Sequence, residues 1–157
     1  MTVYNIVLNT LNKVAGGTNA SCLYNFDWGI LPRGEYKVTF SYQGDANSIH
    51  TVRFATISVD LGQTKNFTTS STTTITPSTR IIGNLQPMNI TASTITNSSY
   101  LISSYNNTPV YLSNPPSNQT FSVQVSNPDG TPYADSLNAV NGFYVLILSF
   151  ELIKEGK

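Results

Sequence analysis

The stretch that decides the fold is Asn141-Gly-Phe-Tyr-Val-Leu-Ile-Leu-Ser-Phe-Glu-Leu-Ile153. It opens on an Asn-Gly turn signal and then runs from Phe143 to Leu148 without a polar residue. Apolar residues at every position are typical of a strand that is buried on both faces or lies where two layers meet. From Leu148 onward apolar and polar residues alternate, which indicates a strand with one buried face. The stretch therefore predicts the central strand of an all-β, two-sheet antiparallel sandwich.

Period-2 alternation predicts further strands along the rest of the chain. In Gly34–Tyr42 and in Gln119–Ser126, every second residue is apolar, and these residues are expected to face the core. No segment shows an apolar period of 3.6 over three turns, so little helix is expected. About eight to ten short strands with turn signals between them indicate a sandwich or a barrel. The shorter predicted strands are Thr2–Leu8, Cys22–Trp28, Val52–Leu61, Arg80–Leu85, Ser99–Ser104 and Val110–Leu112.

Three interruptions of these strands are predicted. The polar stretch Gln43–Ile49 reads as a loop, and Pro87 is expected to end the strand that begins at Arg80. The alternation of apolar residues also shifts by one position at Ala55-Thr56: Val52 and Phe54 are even-numbered, whereas Ile57, Val59 and Leu61 are odd-numbered. A β-bulge would absorb such a slip, and so would a strand that passes from one sheet to another at a corner.

Composition favours a neutral, associating surface. A chain of 157 residues is one domain by its length, here residues 1–157, and can bury about 70% of its unfolded surface. The formal net charge is zero, and no basic run is present, so direct nucleic-acid binding is not expected. Polarity comes from Ser, Thr, Asn and Gln, and low net charge favours association. An ordinary β-rich protein with a Thr-rich surface has the same composition.

Compartment signals point to a protein that is made in the cytoplasm and not secreted. Cys22 is the only cysteine, so no intrachain disulfide is available. The N-terminal residues lack the basic and apolar regions of a signal peptide. No apolar run approaches the roughly 20 residues of a membrane span, and none is predicted.

No catalytic residue, metal ligand or cofactor site is predicted. His50 is the only histidine and lies at a loop-to-strand junction, where a surface histidine is the simplest interpretation. With Cys22 it makes too few ligands for zinc. The glycines form no phosphate-cradling motif, and no Asp-X-Asp loop supports a calcium site. The chain is therefore not expected to be an enzyme.

Two carbohydrate-directed alternatives remain at this stage. Glu35 and Glu151 lie on the polar parity of their strands, so they are candidates for the carboxylate pair of a polysaccharide-degrading enzyme. Two solvated surface residues explain the same pattern. Asp27 next to Trp28 suggests a sugar-binding site, against the simpler interpretation of a buried aromatic residue.

Tyrosine and threonine content points to contacts with other chains. Tyr offers a large rigid surface and a hydroxyl, and it is enriched at interfaces. The Thr-rich segment Asn66–Thr79 is expected to be an exposed strand or loop, and a plausible sheet edge that contacts a neighbouring chain. Tyrosines at the rim of a sandwich are the alternative. The predicted interface residues are Tyr100, Tyr105, Tyr111, Tyr133, Phe67 and Ile75.

The C-terminal third resembles a known family. The runs that carry the resemblance are Asn107-Thr-Pro-Val-Tyr-Leu-Ser-Asn-Pro-Pro-Ser-Asn118, Phe121-Ser-Val-Gln-Val125, Asn127-Pro-Asp-Gly-Thr-Pro-Tyr133 and Tyr144-Val-Leu-Ile-Leu-Ser-Phe-Glu151. In style and strand order, residues 98–153 resemble the single-jelly-roll minor capsid and penton-type proteins of large icosahedral double-stranded DNA viruses and their virophages. The resemblance implies an eight-stranded jelly roll that assembles into pentamers or lodges between major capsomers.

The resemblance sets the expected function. The chain is expected to be a non-catalytic virion subunit whose partners are other capsid subunits, with a homo-pentamer favoured and a trimer as the alternative. The second hypothesis is a glycan-binding β-sandwich or virion fibre head, in which Tyr and Trp stack on sugars. The polysaccharide-degrading enzyme is the third.

Overall fold

The computed structural model is all-β, which confirms the predicted class. It describes residues 2–14, 18–46, 55–62, 66–69, 75–78, 80–92, 95–103, 107–127, 133 and 143–156. Two 3₁₀ turns, Thr10–Asn12 and Trp28–Ile30, are the helical elements of these ranges. The strands are β1 (Val3–Asn9), β2 (Ser21–Asn25), β3 (Gly34–Ala46), β4 (Ala55–Asp60), β5 (Asn66–Thr69), β6 (Ile75–Ser78), β7 (Arg80–Ala92), β8 (Ile95–Ser103), β9 (Val110–Leu112), β10 (Thr120–Ser126) and β11 (Tyr144–Glu155).

Nine of these strands form one antiparallel sheet, and β5 and β6 pair as a separate ribbon. The order in the sheet is β1-β11-β3-β8-β7-β4-β10-β2, with β9 also paired to β3. The sheet curls nearly into a barrel. Its two edges approach each other after β1, where the Val14 N–H donates to the Leu23 carbonyl at 2.8 Å.

The last strand, β11, lies between β1 and β3 and contributes four side chains to the core. Tyr144, Leu146, Leu148 and Phe150 are all fully buried. The predicted inward parity is confirmed for this strand, for β3 and for β10. The alternation works because successive strand residues point to opposite faces, so one apolar row per strand faces the core.

Aromatic rings fill the centre of this core. The ring centroids of Trp28 lie 5.3 Å from Phe121 and 5.5 Å from Phe150, both in tilted arrangements. Tyr36 meets Phe150 edge-on at 6.0 Å. Such pairs contribute about 0.5–1.5 kcal/mol each beyond the burial of their area.

Two predicted strand ends are wrong. β3 does not stop before the predicted loop Gln43–Ile49 but runs to Ala46, because β11 pairs with it as far as Gly44. Polar residues fit there because the outward side of β3 is exposed to solvent. Pro87 does not end its strand, since β7 continues to Ala92. β4 pairs with β7 only up to Leu85, so at Pro87 one side of β7 has no described strand neighbour. Proline lacks a backbone N–H, and on that side no hydrogen bond between strands requires one.

Two further predictions concern β2 and β4. β2 ends at Asn25, earlier than predicted, because Trp28 starts a 3₁₀ turn. The Asp27 carboxylate caps that turn by accepting from the Gly29 N–H at 3.0 Å. In β4, the buried residues are Ala55, Ile57 and Val59, so every second residue faces the core without a shift. Residues 51–54, which carry the other parity of the predicted slip, lie outside the described residues.

Candidate subunit interface

The outer face of β1, β11, β3 and β9 is the candidate site, and register fixes its rows. One row consists of Val7, Ile147 and Ser41, which lie directly opposite one another on β1, β11 and β3. The next row along the strands consists of Asn5, Ser149 and Thr39, with the Ser149 hydroxyl donating to Asn5 Oδ1 at 2.8 Å. The third row is Val3, Glu151, Lys37 and Tyr111.

Apolar side chains on this face are open to solvent. Val145 is 44% exposed on β11, and Val7 is 55% exposed on β1. Val3 and Phe143 are also exposed, and Ile147 is half-buried. We call Val3, Val7, Val145 and Ile147 the outer patch. Of the two arrangements expected for the run Phe143–Leu148, burial on both faces does not occur in the isolated chain, since nothing in its described residues covers the outward side.

Charges on the outer face compensate one another across strands. The Lys37 ammonium lies 3.5 Å from a Glu151 carboxylate oxygen, and that of Lys154 lies 3.9 Å from Glu35. Both pairs follow from the β3–β11 register, which sets each glutamate opposite a lysine. Exposed pairs of this kind contribute little stability, typically below about 1 kcal/mol. Their consequence is that the face presents no net charge to a partner.

The same pairing bears on the carboxylates considered for polysaccharide degradation. Glu35 and Glu151 each form a cross-strand ion pair on this outer face. Trp28, the candidate for sugar stacking, is only 4% exposed, and its indole N–H donates to the Asn118 carbonyl at 2.8 Å. Asp27 acts as the cap of the 3₁₀ turn. The simpler interpretation, a buried aromatic residue, is the one that holds for Trp28.

The edge strand β1 leaves backbone groups without a strand partner. Its only partner among the described strands is β11. The Leu152 N–H donates to the Thr2 carbonyl at 3.0 Å, so even-numbered residues of β1 direct their backbone groups toward β11. The backbone groups of Val3, Asn5 and Val7 therefore point to the free edge. Asn9 follows the same parity, and its carbonyl accepts the Tyr24 hydroxyl at 3.0 Å.

A cleft opens beside β3 where its neighbour strand is interrupted. Along β3 the paired positions Gln43 and Val38 are five residues apart, whereas their partners, Ile102 in β8 and Val110 in β9, are eight residues apart. A cavity of about 480 Å³ lies beside Phe40 at this interruption. Its described lining residues carry hydroxyl, amide and apolar groups, and no Asp, Glu, Lys, Arg or His is among them. The lining residues are Thr39, Phe40, Ser41, Tyr42, Gln43, Ile102, Ser103, Asn107 and Thr108.

Asn107 closes the sheet at this interruption. The Asn84 N–H in β7 donates to Asn107 Oδ1 at 2.9 Å, and the Asn107 amide nitrogen donates to the Asn84 carbonyl at 3.4 Å. One side-chain amide thus replaces the missing residue of a neighbouring strand. On β3 a side chain likewise takes the place of a strand partner, since the Tyr42 N–H donates to the Ser103 hydroxyl at 3.2 Å. The sequence carries no periodic signal for either contact.

A buried tyrosine pair lies where β2 meets β11. The hydroxyl oxygens of Tyr24 and Tyr144 are 2.9 Å apart and share a hydrogen bond. Since the Tyr24 hydrogen goes to the Asn9 carbonyl, Tyr144 is the donor within the pair. Burial raises the pKa of both phenols above the ordinary value of 10.0, and the neighbouring Tyr24 raises the pKa of Tyr144 further.

The predicted interface residues fall in different places. Tyr111 is 65% exposed on β9 and belongs to the outer face, opposite Lys37. Tyr133 is buried, and its N–H donates to the Val125 carbonyl at 2.9 Å. Tyr105 lies outside the described residues. For three of the six the structure describes the backbone alone: Tyr100 in β8, opposite Asp45 of β3, Phe67 in β5 and Ile75 in β6.

The Thr-rich segment Asn66–Thr79 is only partly described. β5 and β6 lie within it and pair with each other in the separate ribbon. In the main sheet the terminal strands are β1 and β2. The exposed apolar residues that form the outer patch were not singled out from the sequence, although the unbroken apolar run of β11 was the signal that could have identified Val145 and Ile147.

Comparison with known proteins adds no family assignment. No protein-family model matches the sequence, and no curated protein matches it significantly. Within the described residues, no helix is long and apolar enough to cross a membrane, and no cluster of three or more His, Cys, Asp or Glu side chains could hold a metal ion.

Proposed function

We propose that this chain is a structural virion subunit, of the minor capsid or penton type, which builds or cements an icosahedral shell through subunit interfaces and has no catalytic role. The observation that carries the proposal is the uncovered apolar side of β11. Val145 and Ile147, with Val7 beside them, form an apolar surface of the kind that is buried at subunit contacts. The ion pairs of the same face leave it electrically neutral, as association favours.

The strand order supports a jelly roll. Leaving aside β5, β6 and β9, eight strands remain, and the first pairs with the eighth, the second with the seventh, the third with the sixth and the fourth with the fifth. This nested antiparallel pairing is that of a long hairpin wound into two sheets. The sheets would be β1-β11-β3-β8 and β7-β4-β10-β2, joined through β7 and β8.

Rigid presentation would be the mechanism. The aromatic core fixes the strands, and the strands hold the outer patch in a defined geometry before any partner arrives. A preorganised surface loses little conformational entropy on association. A stable contact would bury on the order of 1,000 Å² or more, which one strand cannot supply, so the outer patch would be part of a larger interface. The partners would be other capsid subunits in a virion assembled from proteins made in the host cytoplasm.

Native mass tests this proposal. Size exclusion with light scattering should give a multiple of the 17.1 kDa of one chain, with a pentamer favoured and a trimer as the alternative. Val145→Asp should lower that mass, because a charge would be buried without a partner. Leu23→Asp is the matched control, since Leu23 of β2 is 47% exposed but lies away from the outer patch. A wild-type chain that stays monomeric at every concentration, alone and with shell proteins from the same virion, would overturn the proposal.

One observation favours a second function, glycan binding. The described residues that line the cleft beside Phe40 present hydroxyl, amide and apolar groups and no charged side chain, a chemistry that suits a neutral sugar. A glycan array with the wild-type chain and the Asn107→Ala variant tests it. Binding that the variant loses would support a fibre-head or lectin role. No binding to any glycan on the array would remove this second function.

A further inference from the structure

We infer that β1 is a self-pairing edge: two copies of this chain join their β1 strands antiparallel about a two-fold axis at Asn5, which makes one continuous sheet across both. The inference rests on the proposed association of copies and names its partner and its geometry. It is carried by the direction of the backbone groups of β1, by the order of its side chains and by its lack of charge.

Backbone direction sets which residues can pair. Val3, Asn5 and Val7 point their N–H and C=O groups away from β11, as the bond from the Leu152 N–H to the Thr2 carbonyl requires. The next residue of that parity, Asn9, already has its carbonyl bonded to the Tyr24 hydroxyl. Three consecutive odd positions are therefore available along this edge.

Only one antiparallel register uses all three positions on both copies. It sets Asn5 opposite Asn5 of the second copy, and Val3 opposite its Val7. Each of these three pairs exchanges two backbone hydrogen bonds, so the contact would hold about six. A shift by two residues would leave one position unpaired on each copy. The centre of the register thus follows from the geometry of β1 alone.

Side-chain chemistry agrees with this register. The seven residues of β1 include no charge and no proline, the two features with which exposed edges commonly prevent pairing. Two copies therefore meet without like-charge repulsion. The Asn5 side-chain oxygen Oδ1 accepts from the Ser149 hydroxyl, which leaves the side-chain NH2 group to donate to acceptors at the axis. Valine faces valine on either side of that axis, as cross-strand packing favours.

The pairing also extends the outer patch. Val7 of one copy would lie between Ile147 of its own β11 and Val3 of the second copy, on the same outer face. On each side of the polar Asn5–Ser149 row at the axis, the patch of one copy thus continues onto Val3 of the other. A two-fold contact of this kind is isologous and closes on itself, so it adds to rings formed by other surfaces and does not replace them.

Disulfide trapping tests the register. In an antiparallel hydrogen-bonded pair the Cα atoms lie about 5.5 Å apart, within the range that a disulfide bridges. Asn5→Cys should therefore give a covalent dimer on mild oxidation. Ser149→Cys is the control, because it lies on the same row one strand further in, about 14 Å from its counterpart across three strand spacings. The native Cys22 is buried and should not react in either variant.

Charge exchange separates pairing from misfolding. Asn5→Lys and Asn5→Glu should each lose the two-fold contact when alone, and a mixture of the two should regain it, which a merely unstable variant could not do. Cross-linking of Asn5→Cys no greater than that of Ser149→Cys, or a wild-type oligomer unchanged by Asn5→Lys, would overturn this inference and leave the proposed function standing. A wild-type chain that is monomeric throughout would overturn both.

Discussion

The ring of Phe40 in β3 occupies the space that a side chain at Gly83 in β7 would need. A Cβ built on Gly83 would overlap with two ring carbons of Phe40. The two strands are not neighbours in the sheet, since β8 lies between them in its order. The contact therefore packs a large residue of one strand against the bare backbone of another, at the point where the cleft interrupts β8 and β9.

Gly83→Ala should destabilise the chain by about 1–3 kcal/mol, the usual cost of forcing an extra carbon into a packed site. The cause would be displacement of the Phe40 ring, because the backbone of Gly83 has an ordinary strand conformation. The midpoint of denaturant unfolding measures the effect. Phe40→Leu supplies the control: it should weaken the wild type yet restore part of the lost stability in Gly83→Ala. Strictly additive effects of the two changes would contradict direct contact.

Asn107→Ala should speed hydrogen exchange at the Asn84 amide and lower the free energy of unfolding by about 1 kcal/mol. The reason is that the Asn107 side chain provides both the acceptor and the donor for the Asn84 backbone. Exchange at single residues, followed by NMR, would localise the change to β7. Thr108→Ala is the control, since Thr108 is exposed and lines the same cleft. Equal exchange rates in both variants would contradict the strand-mimicking role of Asn107.

Alternation along single strands was sufficient to predict much of the fold. The inward rows of β3, β10 and β11 follow from period-2 patterns, because a pleated strand sorts side chains to two faces. The ends of strands could not be predicted in this way, as the strands that continue through Pro87 and Gln43 show. Each lies within a strand because of what its neighbour does: β11 extends β3, and the shorter β4 leaves β7 one open side. Such pairings join residues that are distant in sequence, so the local sequence pattern does not predict them.

The candidate site was less accessible to sequence reasoning. Tyr111 was predicted and lies on the outer face, whereas Tyr133 is buried, because residue type alone does not say which face a loop residue takes. Val7 and Val145 form one patch only through the β1–β11 register. The unbroken apolar run of β11 predicts a strand that is buried on both faces or lies where two layers meet. The same apolar run would occur if the outward face of β11 were covered by another chain. A single sequence does not distinguish cover from the same chain from cover by a second one.

Alkaline pH should destabilise the fold through Tyr144. Its pKa is raised by burial, so the folded state holds this proton more tightly than the unfolded state does. The stabilisation is therefore complete below the unfolded pKa, near 10, and declines above it by about 1.4 kcal/mol per pH unit. Unfolding midpoints at pH 8 and pH 11 measure the decline. Tyr144→Phe should be less stable at pH 8, since it loses the bond to Tyr24, but should show a shallower alkaline slope. Equal slopes would refute this origin.

Trp28 should behave as a core residue and not as a sugar platform. It contacts Phe26, Phe121 and Phe150, and its indole N–H is satisfied by the Asn118 carbonyl. As the only tryptophan, it reports on its surroundings without interference. We expect blue-shifted fluorescence in the folded chain, little quenching by iodide and no change on adding oligosaccharides.

Trp28→Ala should destabilise the chain by about 3–5 kcal/mol, because it removes the ring that joins Phe121 of β10 to Phe150 of β11. Trp28→Phe should cost less, since it retains the aromatic contacts and loses the bond to Asn118. Ile30→Ala is a suitable control in the same 3₁₀ turn, where Ile30 is exposed and should contribute little. If iodide quenched Trp28 freely in the folded chain, or if Trp28→Ala were as stable as Ile30→Ala, the indole would have to lie at the surface, and stacking on a sugar would again be a role open to it.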